Sequence, residues 1–190
     1  MTHITLVRHG ITDWNQSEII QGRFNIPLNE LGMEQARKTA QNFLNQKIDL
    51  IFTTPLIRTK QTALIIAKEL NYTGDIFVSE NLIERDFGDA DGKPIKDYYP
   101  LVIKNEIPNL ESEEAIKDRV IKDLKAISNI HSHKNILVVC HSHTIKAALA
   151  AIDPQYNFQY KLFNCSITEL IYHHDMDSFT IEKVNYNQYL

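Results

Sequence analysis

The tightest constraint on this chain is the run Asn135-Ile136-Leu137-Val138-Val139-Cys140, which passes directly into His141. Its continuous apolar character and β-branched residues fit a fully buried strand. Beyond His141-Ser142-His143-Thr144, residues Ile145, Ala147, Ala148, Leu149, Ala151 and Ile152 form an apolar, Ala-rich segment of high helix propensity. A buried strand feeding a helix in this way is an α/β unit, and in such sheets ligands collect beyond the carboxyl ends of the strands. His141 therefore stands at a helix N-terminus, where free N–H groups and the dipole favour an anion.

The pattern occurs again at the start of the chain. Ile4, Leu6 and Val7 read as a short buried strand that ends in Arg8-His9-Gly10. Gly10 allows the backbone to leave the strand sharply, and Arg8 offers a planar fork of donors matched to phosphoryl oxygens. A third strand end follows at Asp49 to Thr53, stopped by Pro55, with helical spacing of apolar residues from Ile57 to Leu70. Arg58 then lies in the first turn of that helix, where the dipole disfavours a cation. Its alternatives are a solvated arginine or one aimed at the same anion as Arg8.

In this order the blocks resemble the histidine phosphatase superfamily, the phosphoglycerate mutase-like proteins. The resemblance rests on Arg8-His9-Gly10 with Thr12, Trp14 and Asn15; on Gln21-Gly22-Arg23 and Pro27-Leu28 before a helix; on Thr53 to Arg58; and on Glu84 ahead of Phe87-Gly88. It covers nearly the whole chain. It implies a three-layer α/β/α sandwich with a mostly parallel central sheet, and a phosphatase that hydrolyses small phosphomonoesters through a phosphohistidine on His9. The catalytic set it implies is His9, Glu84, Arg8, Arg58 and His141. Asn15, Gln21, Gly22, Arg23, Ser142 and Arg85 would bind substrate, with no metal and no cofactor. Asp86, Asp89 and Asp91 share the loop of Glu84, and spacing alone separates none of the four as the general acid; the family pattern assigns Glu84. The chain departs from the family where glycine usually follows the second histidine: Ser142 and His143 stand there. His143 is either a titratable group near the cavity mouth or an inert surface histidine, and the surface reading is preferred.

A bisphosphoglycerate-dependent phosphoglycerate mutase is the alternative reaction, supported by Glu84-Arg85. Against it, Lys93 to Lys104 carries no arginine, and its Tyr, Leu, Val and Ile suit an apolar lid or plain packing. Other rivals are a metal-dependent hydrolase, suggested by His131/His133, His141/His143 and His173/His174, and a non-catalytic phosphate sensor. No acid-rich ligand set accompanies those histidines, and arginines beside His9 would repel a dication.

No Gly/Ser/Pro-rich tract divides the chain, so a single domain over residues 1–190 is expected, with an insertion over the active site at about 85–111. Ser112 is the expected N-cap of a helix from Glu113 to His131, and Ser166 to His173 and Ser178 to Val184 read as a hairpin at the sheet edge. That edge leaves the oligomeric state open. A formal net charge of −4 gives no support for nucleic acid or an anionic membrane as partner, and the resemblance implies a small phosphorylated metabolite instead. The N-terminal residues lead straight into a strand and no stretch approaches a membrane span, so a cytoplasmic protein is expected. The two cysteines, Cys140 and Cys165, fit reduced, buried thiols.

Overall fold

A computed structural model describes residues 1–188. Its centre is a six-stranded sheet in the order β3-β2-β4-β1-β5-β6. The strands are β1 (Thr2–Arg8), β2 (Leu50–Thr53), β3 (Ile76–Val78), β4 (Asn135–Cys140), β5 (Ile167–His173) and β6 (Ser178–Tyr186). The pairings β1 with β4, β4 with β2 and β2 with β3 are parallel, whereas β5 and β6 add an antiparallel edge. The sheet is thus mixed. The three-residue β3 left no readable alternation in the sequence, because its side chains are half-buried or exposed.

The helices are α1 (Asp13–Gln16), α2 (Glu30–Gln41), α3 (Ile57–Glu69), α4 (Ile95–Ile103), α5 (Glu113–Ile130) and α6 (Ser142–Ile152). Alternation along the central strands divides the core into two layers. Leu6, Val138 and Ile136 pack with Val120, Leu124 and Leu149 of α5 and α6, whereas Val7, Val139 and Leu137 pack with Phe43 beyond α2 and with Ala63 and Ile66 of α3. The fold is the three-layer α/β/α sandwich. A third, smaller cluster of Ile20, Phe87, Ala90, Val102 and Ile107 roots α4 beside the sheet ends.

The starts of α1, α2 and α5 are set by side chains. Asn29 Oδ1 accepts from Gly32 N, and Ser112 Oγ accepts from Ala115 N, which places the N-terminus of α5 where the sequence puts it. Thr12 and Asn15 close a reciprocal capping box on α1.

Parallel pairing brings three strand ends to one edge. Arg8 lies opposite Cys140, and Thr53 opposite Val139. The next residues, His9, Thr54 and His141, therefore emerge side by side, with His9 N donating to the Cys140 carbonyl at 3.0 Å. Beyond His9 the chain crosses α2 backbone to backbone. A Cβ on Gly32 would collide with the main chain of Ile11, and one on Gly10 with the carbonyl of Gly32. We expect Gly32→Ala to lower stability by about 1–3 kcal/mol despite alanine's better helix propensity, read as a lower midpoint in urea unfolding.

Candidate active site

The three strand ends open into a cavity of about 550 Å³ whose walls include Arg8, His9, Asn15, Arg58, Glu84 and His143. His9 is 3 % exposed. Its Nδ1 lies 2.8 Å from the Gly10 carbonyl, which can only accept, so Nδ1 carries the proton and Nε2 keeps its lone pair. Burial, reinforced by Arg58 and Arg8, holds the His9 imidazolium pKa well below the usual value. A neutral, orientated imidazole is the result.

Both guanidiniums are anchored by carbonyls. Arg8 Nη1 donates to Leu162 O at 2.6 Å; Arg58 donates to Phe24 O at 2.6 Å and Gly22 O at 2.7 Å. The Nε of each is buried and has no partner. Arg58 is 1 % exposed, which removes the solvated-arginine alternative. Burial lowers the Arg58 pKa to about 10, so it remains a cation at neutral pH.

His141 stands behind this front, its ring 5.4 Å from that of His9 in an edge-on arrangement. Its Nε2 meets Thr54 Oγ1 at 2.8 Å, and Thr54 Oγ1 lies 2.8 Å from Thr59 Oγ1, which itself donates to Leu56 O. Its Nδ1 is buried without a partner. Helices α3 and α6 begin at this point, and both lack a side-chain cap and an acid in the first turn. Of their first-turn N–H groups, Ile57 N donates to Asn25 Oδ1 and His143 N to the Glu84 carboxyl, so only those left unbonded remain available to an anion.

Glu84 is 7 % exposed. Its carboxyl accepts from Arg85 N at 2.9 Å and His143 N at 3.1 Å. Burial raises its pKa even though Arg58, Arg8 and Lys146 pull the other way. Its loop is fixed by Arg119 of α5, which donates to the carbonyls of Asn81, Ile83 and Glu84, and by Thr144 of α6, which donates to those of Leu82 and Ile83. Asp86, Asp89 and Asp91 do not line the cavity.

Among the expected binding residues, Asn15, Gln21, Gly22 and Ser142 line the cavity. Asn15 Oδ1 is occupied by Thr12 N and Asn164 Nδ2, which leaves the Asn15 amide nitrogen for a ligand. Arg23 and Arg85 are placed elsewhere. Arg23 reaches Glu84 O, Asp86 and Glu111, and Arg85 donates to Glu111 O with its guanidinium against the rings of Phe158 and Phe87. Both brace loops; neither lines the cavity. His143 is no surface residue either: it is 5 % exposed and lies edge-on to Phe87, with ring centroids 4.8 Å apart. Its neighbours all come from distant segments, which a local reading does not register.

Several lining residues went unnoticed in the sequence, Asn164 and Lys146 among them. Asn164 donates to His9 O at 3.1 Å, and Lys146, 6 % exposed, reaches into the cavity from α6. Of the lid residues, Ile95 and Tyr99 line the cavity and Val102 packs beneath, so α4 combines cover and core. Cys140 is buried in the other layer, and burial pushes its thiol pKa up, away from any nucleophilic role. Among the described residues no three His, Cys, Asp or Glu side chains gather as a metal site, and no helix is long and apolar enough to cross a membrane.

The model of the histidine phosphatase superfamily (branch 1) matches residues 4–187. The chain belongs to that superfamily. It is 39% identical over 158 residues to the uncharacterized phosphatase PhoE of Bacillus subtilis (strain 168), covering 82% of this chain and 81% of the relative. It is 33% identical to the putative phosphoserine phosphatase 2 of Hydrogenobacter thermophilus, covering 90% and 89%. The structure of a histidine-to-alanine mutant of Entamoeba histolytica phosphoserine phosphatase in complex with phosphoserine aligns with a TM-score of 0.87 at 25% identity, over all of both chains. Phosphoglycerate mutase from Bacillus anthracis shares the fold, with a TM-score of 0.88 at 20% identity over 97% of this chain and 92% of that one. Phosphatases and mutases thus both use this superfamily fold.

The raised pKa of Glu84 has a thermodynamic sign. A carboxyl whose folded pKa exceeds its unfolded value loses stabilisation as pH rises through that folded value. Glu84→Gln is therefore expected to be more stable than the native protein at neutral pH, with the two converging near pH 4 as the native carboxyl protonates in both states. Urea unfolding at a series of pH values checks this.

Proposed function

We propose that this chain is a phosphatase of small phosphomonoesters that works through a phosphohistidine on His9, with a small phosphorylated metabolite as its partner. The observation that carries this reading is His9, neutral and held at Nδ1, between two buried guanidiniums with the buried Glu84 carboxyl in the same cavity. Nε2 attacks phosphorus in line; the P–N bond forms as the P–O bond to the leaving group breaks. Charge on the equatorial oxygens is met by Arg8, Arg58 and the Asn15 amide, with His141 behind them donating from Nε2 to Thr54, whose hydroxyl donates on to Thr59. Glu84, whose pKa burial raises, gives its proton to the departing oxygen. Its carboxylate then takes a proton from water, whose oxygen attacks the phosphohistidine and releases phosphate and free His9. Side chains supply all the positive charge in this cycle, so it calls for no metal.

Hydrolysis is favoured over the mutase alternative because Arg85, the candidate second clamp, is spent on Glu111 O and two aromatic rings, and α4 contributes no arginine. A mutase must hold its bisphosphorylated intermediate until it turns over in the site. The reading predicts, with a chelator present throughout, an acid-labile, base-stable phosphoprotein after rapid quench and phosphate release from metabolite esters. His9→Ala should abolish both. Interconversion of 3- and 2-phosphoglycerate with bisphosphoglycerate, at rates far above every hydrolysis, would overturn it.

Glu84→Gln should slow turnover of alkyl phosphates by roughly a hundred- to ten-thousand-fold. An aryl phosphate, whose leaving group needs no proton, should lose much less. Equal losses on the two would remove Glu84 from the role of general acid.

A further inference from the structure

Lys146 is a buried cation without a counter-ion. It lies in α6, where His143 through Leu149 are all buried. Its Nζ donates to the Phe158 carbonyl at 2.8 Å and stands 6.0 Å from the Tyr99 ring centroid. No salt bridge among the described residues includes it, so two of its three donors remain for a ligand in the cavity it lines. An unpaired buried ammonium is costly, and an apolar side chain of the same length would fill the space. Burial lowers its pKa only to about 8, so the cation persists at neutral pH. The nearest acid acting on it is Glu84, which the proposed cycle needs in its protonated form.

One turn back, at the spacing that puts two side chains on one helix face, His143 offers the opposite polarity. Tyr99 Oη lies 3.0 Å from the Phe158 carbonyl, so the phenol must donate there. It therefore accepts from His143 Nε2, 3.1 Å away. His143 carries its proton on Nε2 and leaves Nδ1 as an acceptor that bonds to no described residue. Phe87 and Phe158 fix the ring, and burial with Lys146, Arg85 and Arg8 nearby keeps it neutral.

We propose that Lys146 and His143 form the subsite that selects the body of the substrate: a carboxylate on Lys146, with an ammonium or hydroxyl on the adjacent carbon donating to His143 Nδ1. This rests on the phosphatase reading for its chemistry, but on its own residues for recognition. The favoured esters are then phosphorylated α-amino or α-hydroxy acids. Esters without a carboxylate leave the ammonium unmatched.

Three esters separate the parts: O-phosphoserine, O-phosphoethanolamine, which lacks the carboxylate, and the phosphate ester of 3-hydroxypropionate, which lacks the α-donor. The native protein should prefer O-phosphoserine over both in kcat/KM. Lys146→Met should collapse the preference over O-phosphoethanolamine by about ten- to a hundredfold, and Lys146→Arg should restore most of it. His143→Phe, which keeps a ring in the aromatic box, should collapse the preference over the 3-hydroxypropionate ester by about tenfold. Equal losses on all three esters would assign Lys146 to tuning Glu84 and overturn the subsite, as would a native protein without preference. Calorimetric binding of O-phosphoserine and O-phosphoethanolamine to His9→Ala, with and without Lys146→Met, reads the subsite apart from chemistry. Carboxylate-dependent binding in a protein that hydrolyses nothing would sink the phosphatase reading and leave the subsite standing.

Discussion

The structure depends on cations that are buried against carbonyls instead of carboxylates. Carbonyl dipoles satisfy the donors of Arg8 and Arg58 and fix their planes, yet leave their charge in place. A carboxylate partner would have stabilised each arginine more and cancelled the field that the cavity uses. That uncancelled field, together with desolvation, keeps His9, His141 and His143 neutral. Glu84 is the instructive opposite: the arginines favour its anion, burial favours its acid, and burial prevails. Four titratable groups thus have their pKa values moved by one balance between burial and unpaired positive charge.

Helix α6 carries much of the resulting geometry. His141 precedes its first residue, His143 N donates to the Glu84 carboxyl, and Thr144 ties down the carbonyls of the Glu84 loop. The second histidine and the acid are therefore parts of one rigid piece, although 56 residues of chain lie between Glu84 and His141. Arg119 completes that piece from α5.

Much of this arrangement was legible in the sequence, because strand ends and helix starts are local signals. The runs ending at Arg8, Thr53 and Cys140 announced where side chains would emerge, and parallel pairing alone was enough to bring them together. What escaped was decided by distant contacts. Lys146 interrupts an apolar helix, a pattern that ordinarily marks a solvated face; the segment around Phe158 covers that face and leaves the lysine inside. Arg23 and Arg85 were legible as cations near the site, but their commitments to Glu111 and to the Phe158 ring arise from chain more than 20 residues away. Asn164 belongs to an irregular segment with no periodicity to read.

The unpaired Nε atoms of Arg8 and Arg58 have a consequence for the empty protein. Without an anion the folded state bears the full desolvation cost of these groups, so any phosphate that enters tightens the fold by linkage, in proportion to the logarithm of its concentration. Inorganic phosphate presents the same oxygens as the substrate's phosphoryl group and is held by the same donors. On the proposed hydrolysis, a site organised in this way resists losing its product, and the rate at which phosphate escapes becomes a natural ceiling on turnover.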